Sequence, residues 1–164
     1  MSKKAFFVGF LLVATVAFGG VGAASGKTAK IPSSPCKLKI SAQVKALRLS
    51  KSCSQRKPAA GPLGKVSSGT WGSQPHVLGI GFFAFSSRAK KQEFIRSFPT
   101  LGGTTKRVGT NQVETITDTG VAYAGVVDGI GINLSVNEAT ASSAVKAKDA
   151  KTVLKLVKAV TSQL

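Results

Sequence analysis

Apolar and polar positions alternate through much of the chain, and the stretch around which the rest is organised is Val121–Val136, VAYAGVVDGIGINLSV. It predicts two strands joined at Asp128-Gly129. A two-residue Asp-Gly loop suits a type I′ turn, in which both central residues take positive φ and the twist matches the flanking strands. That turn would place Val127 opposite Ile130, Gly125 opposite Ile132, Tyr123 opposite Leu134 and Val121 opposite Val136. One face of the hairpin then carries seven apolar side chains and a glycine, while Ala122, Ala124, Val126, Gly131, Asn133 and Ser135 lie on the other. Such a face must pack against a helix or a second sheet.

The same patterns divide the rest of the chain. Residues 25–35 read as a linker closed by Pro32 and Pro35. Leu38, Ile40, Val44, Leu47 and Leu49 suggest a short amphipathic helix over 41–49, with Ser41 as N-cap and Lys45 and Arg48 on its basic side. Pro58–Pro62 is a loop by composition, and Gly64–Trp71 a weak strand. Val77–Phe85 is apolar on both faces and predicts a central strand covered on both. Gly79 and Gly81 share one of those faces and leave room for a bulky neighbour. Ser86 or Ser87 would cap a helix running to about Phe98, with Phe94, Ile95 and Phe98 inward and Pro99 as its stop. Residues 104–108 and 112–117 read as short strands, and 137–148 as a polar connection. A helix from Asp149 to about Thr161 carries Val153, Leu156, Val157 and Val160 as an apolar stripe, suited to covering the hairpin. Lys148, Lys151, Lys155 and Lys158 recur at i, i+3, i+7 and i+10 on its other side. Together these elements give an α+β fold, an antiparallel sheet with helices packed on it.

The beginning of the sequence changes the picture by adding an address. Lys3 and Lys4 precede an apolar run to Phe18 and then small residues near Ala23 and Ala24, which is the plan of a secretory signal peptide over 1–24. The apolar run is short for a membrane span, so no transmembrane anchor is expected after processing. Cys36 lies too far downstream for a lipid-bearing cysteine. Residues 36–164 then form a single secreted domain. In an exported protein the two cysteines, Cys36 and Cys53, most simply form one disulfide.

Charge narrows the partners. Without Lys3 and Lys4 the 23 basic residues become 21, against six acidic, leaving +15. That field favours anionic partners such as surface polymers or lipid headgroups. The basic residues are dispersed, with no run longer than a pair, so a dedicated basic tail is not indicated.

Catalytic chemistry finds little support. His76 is the sole histidine, no Gly-x-Ser-x-Gly elbow is present, and the expected disulfide removes a free thiolate. Glu114, Asp118 and Glu138 have no evident pairing in the sequence, whereas Asp128 falls in a turn, Asp149 at a helix start and Glu93 among basic residues. Two cysteines and one histidine do not make a structural zinc site, and neither metal nor cofactor is expected. Gly102–Lys106 lacks phosphate-loop spacing. Phe82, Phe83 and Phe85 have no interleaved charge, so specific nucleic-acid binding by stacking is not expected.

From Cys36 onward the order of features resembles small exported proteins and lipoproteins of actinobacteria, most of unknown function. Cys36, Leu38, Ser41, Val44 and Leu47 stand as in their Cys-x-Leu-Leu-Thr-x-x-x-Val-like opening helix. Cys53, the strand Val77–Phe85, the hairpin and the terminal helix follow in the same order. The resemblance implies an envelope-associated domain bridged by Cys36 and Cys53, and it transfers no active site. The expected function is non-catalytic, electrostatic binding through Lys148, Lys151, Lys155 and Lys158. The rivals are an enzyme using Glu114, Asp118 or His76, a cationic toxin or antimicrobial effector, and a small-ligand carrier whose cavity Gly79, Gly81, Gly125 and Gly131 would leave.

Overall fold

In a computed structural model, which describes residues 30–98, 103–138 and 141–164, seven strands form one antiparallel sheet. They are β1 (Cys53–Gly61), β2 (Gly64–Ser73), β3 (His76–Phe85), β4 (Thr104–Gly109), β5 (Gln112–Thr117), β6 (Gly120–Val127) and β7 (Ile130–Glu138). Their order is β1-β2-β3-β7-β6-β5-β4. Two meanders are therefore joined by one crossover after β3, and the chain returns strand by strand to pair β7 with β3. The helices are α1 (Ser41–Ala46), α2 (Arg88–Arg96) and α3 (Ser143–Thr161), with a 3-10 turn at Pro35–Lys37. The signal-peptide segment, residues 25–29 of the 25–35 linker and the stop at Pro99 lie outside the described residues.

The hairpin has the register its turn demands, Val127 to Ile130 through Val121 to Val136. Asp128 and Gly129 have φ of 49° and 81°, the two positive values a type I′ turn needs. Its apolar face supplies Tyr123, Ile130, Ile132, Leu134 and Val136 to the main core, beside Leu78, Ile80 and Phe82 of β3. Above them lie Val44 and Leu47 from the α1 segment and Val153, Leu156, Val157 and Val160 from α3. Burying each such side chain contributes roughly 1.5–3 kcal/mol.

Among the described residues, the helix on the reverse face is α2, at one end. Phe94 of α2 meets Phe83 and Phe85 with ring centroids 5.1 and 5.4 Å apart, and Phe98 packs edge-on to Phe94 at 5.3 Å. Ser87 caps α2 by accepting from Lys90 N. Along β3, Val77, Gly79 and Gly81, like Phe83 and Phe85, are only half-buried, so this face of the strand is partly rather than fully covered.

One strand and several boundaries differ from the sequence reading. The strand β1, Cys53–Gly61, is not among the expected elements, and Pro58 is tolerated in it because β1 is an edge strand whose register shifts between Arg56 and Ala59. The α1 helix stops at Ala46, and Ser41 makes no cap bond; Ile40 occupies the N-cap. The terminal helix starts earlier, at Ser143, with Ser142 Oγ accepting from Val145 N. Asp149 is thus a buried mid-helix residue. The disulfide joins Cys36 to Cys53 with Cα atoms 5.7 Å apart, tying the segment before α1 to the start of β1. The glycines differ in what lies over them, and Gly79 has only Ser135 Oγ near it. Gly125 lies under the Tyr123 hydroxyl, Gly131 under the Phe85 ring, and Gly81 beside Phe83.

Candidate functional site

The α1 and α3 helices lie side by side on the main-core face, with Lys39 N donating to Gln163 Oε1 at 2.8 Å near the end of α3. Their inward stripes are consumed by the core, so their lysines are forced outward. Lys148, Lys151, Lys155 and Lys158 are all exposed, as are Lys39 and Lys45 on the neighbouring segment. None of these six ammonium groups pairs with a carboxylate among the described residues. The four predicted lysines therefore occupy one helix, and the α1 segment adds two beside them.

A second constellation lies where α1, α3 and the sheet end meet. Arg48 Nη2 donates to Glu138 Oε2 and to Asp149 Oδ2, each at 2.8 Å. Asp149 is 2% exposed, so its charge is held in the protein by that guanidinium. The hydrogen bond to Asp149, opposed by desolvation, raises the Arg48 pKa above its already high ordinary value. Arg48 itself has φ of 60°, a left-handed backbone uncommon for a side chain of its size. His76 stands directly opposite Glu138 across β3 and β7, with Nε2 3.7 Å from Glu138 Oε1. That is too long for a hydrogen bond. Arg48, Leu49, Ser50, Gly72, Ser73 and His76 line an open cleft of about 150 Å³ beside this cluster.

The acidic candidates from the sequence do not come together. Glu114 faces Tyr123, in the rung of Leu134 and Ile80, four residues and three strands from His76. That is about 13 Å along the strands and about 14 Å across them. Asp118 is exposed in the β5–β6 turn, where its carbonyl accepts from Lys146 Nζ at 2.6 Å. His76 instead stands beside Glu138, which the sequence left unpaired, and Arg48 binds both Glu138 and Asp149, which the sequence placed at a helix start. One signal could have found the latter. Extending the α3 stripe back from Val153 by four residues lands on Asp149, and a carboxylate in register with an apolar stripe requires a cation.

Four side-chain atoms of the sheet are buried without a hydrogen-bond partner among the described residues: Ser67 Oγ, His76 Nε2, Glu114 Oε2 and the Tyr123 hydroxyl. Burial raises the Glu114 carboxyl above its ordinary range, and the neighbouring Lys106 partly offsets it. Burial also pushes the Tyr123 hydroxyl up to about 12.

Among the described residues no helix is long and apolar enough to cross a membrane, and no three His, Cys, Asp or Glu side chains gather as metal ligands. Comparison with known proteins finds no matching family model, no similar curated protein and no similar solved structure.

Proposed function

We propose that this protein is exported and works as a non-catalytic, envelope-associated binding protein, holding anionic surface polymers or headgroups electrostatically through Lys148, Lys151, Lys155 and Lys158. The observation that carries the reading is the fate of its six carboxylates. Glu138 and Asp149 are bound to Arg48, Glu93 to Lys90 at 2.7 Å, and Glu114 is buried beside Lys106. Only Asp118 and Asp128, in turns, are exposed and without an ion pair among the described residues. Most of the negative charge is thus neutralised locally or withdrawn, while the lysines of the helical layer stay in water.

The Cys36–Cys53 bridge supports an oxidising compartment, and the resemblance to exported actinobacterial proteins supports the same address. Binding of this kind is a sum of screened contacts, each fading beyond about 8 Å at physiological ionic strength. Its test is co-sedimentation of the protein with the producing cell's envelope over a salt series, with and without the anionic polymers stripped. Attachment should require those polymers and weaken with salt. Attachment that survives neutralisation of Lys151, Lys155 and Lys158 together would sink the reading.

A further inference from the structure

We propose that the cleft beside Arg48 is a binding site for a phosphate group, and that through it the protein grips the phosphate units of an anionic polymer. The second clause rests on the function proposed above; the first does not. Both ion pairs of Arg48 use the same nitrogen, Nη2. Neither Nη1 nor Nε has a hydrogen-bond partner among the described residues, and the side chain is 41% exposed. One end of the guanidinium is therefore clamped by carboxylates while its other donors stay open. Leu47 and Leu49 on either side of Arg48 are buried, at 0% and 8%. With φ of 60° between them, the backbone sets where the side chain leaves the chain. A cation held this way loses little freedom on binding, which favours affinity.

The rest of the lining has the matching chemistry. Ser50, Ser73 and His76 border the same cleft, and Ser50 Oγ lies 2.6 Å from Ser52 Oγ. If Ser52 donates to Ser50, the Ser50 proton is left for a ligand. Guanidinium and hydroxyl groups make a set of donors suited to a ligand that only accepts. A carboxylate would be satisfied by one edge of the guanidinium and leave the serines idle. A tetrahedral oxyanion presents further oxygens to them. Glu138 and Asp149 do not line the cleft, and their pull on the guanidinium is set against the chain's large excess of basic residues. An open space of about 150 Å³ also lets an ester substituent leave toward solvent, as a polymer requires.

The test is an NMR titration of the protein with inorganic phosphate, and separately with poly(glycerol phosphate), run beside co-sedimentation with the polymer. Saturable shifts at the Arg48 Nε–H and at Ser50, Ser73 and His76 are expected with both ligands. Arg48→Lys, which keeps the charge and loses the fork, should weaken phosphate binding roughly tenfold. Ser73→Ala and His76→Gln lie outside the Arg48 ion pairs and should weaken it several-fold with the fold intact, so they decide the matter if Arg48→Lys does not fold. Shifts confined to lysines, or unchanged affinity in Ser73→Ala and His76→Gln, overturn the cleft while polymer sedimentation keeps the function reading. Saturation by free phosphate with no polymer sedimentation supports the cleft and overturns the polymer grip. Weaker polymer sedimentation in Ser73→Ala and His76→Gln, alongside weaker phosphate binding, supports both.

Discussion

Arg48 and Lys155 carry the same charge on neighbouring elements of one helical layer, yet the fold treats them oppositely. Lys155 stands on the outer side of α3 with its ammonium in water, while Arg48 joins the end of α1 to β7 and α3 through two ion pairs. The difference is set by the partners. Lys155 faces no carboxylate among the described residues, whereas Asp149 is buried and must be compensated. A basic residue here thus either stands in water without a carboxylate or bolts elements together, and Arg48 does the second through one nitrogen while its other donors stay open.

The contrast can be broken most severely by releasing the arm that carries Arg48. Replacing Cys36 and Cys53 by serine should lower stability by about 3 kcal/mol in the chain-entropy model. Denaturant melting under non-reducing conditions checks it, and an unchanged midpoint would mean that the arm is held by its core contacts alone. Arg48→Met should come next, at about 2–3 kcal/mol, because Asp149 is then left buried without its cation. Adding Asp149→Asn should restore part of that loss. If the double variant melts no higher than the single one, the ion pair is not what Arg48 contributes.

A smaller effect separates buried acids with a cation from those without. Glu114 has a raised folded-state pKa, so the folded protein holds that proton more tightly than the unfolded chain. Its stability contribution is favourable below the ordinary carboxylate range and is lost as pH rises from the unfolded to the folded value. Glu114→Gln should therefore gain on the wild type over that interval, read as melting temperature against pH. Tyr123 behaves alike at the alkaline end. Because it is the single tyrosine, tyrosinate absorbance reports it alone, and ionisation should be delayed toward about 12. Stability should fall as pH rises through the ordinary tyrosine range. The smallest effect belongs to the lysine row. Neutralising Lys151, Lys155 and Lys158 should move stability by no more than about 0.5 kcal/mol per substitution, while polymer binding falls.

The legible parts of the fold were those ruled by local chemistry. Asp128-Gly129 dictated a turn, the turn dictated a register, and every predicted pair of the hairpin is present. The α3 stripe likewise announced its buried side, and Cys36 with Cys53 announced the bridge. Pro58 misled because proline reads as a breaker unless the strand is known to be an edge with a bulge, and edge position is a property of the whole sheet. Asp149 misled because an acidic residue near a lysine-rich helix resembles a cap until its distant partner is in place.

What the sequence determined by itself, then, is every strand and α-helix but β1, the apolar side of each, the disulfide and the excess of positive charge. These follow from side-chain periodicity, turn sterics and composition, which act over a few residues or over the whole chain at once. The tertiary structure decided which carboxylates are withdrawn and which cations stay free. Arg48 and Asp149 are 101 residues apart, and Ser50, Ser73 and His76 reach one cleft from three places along the chain. Such meetings depend on strand order and helix placement, which emerge only when the apolar faces are packed together.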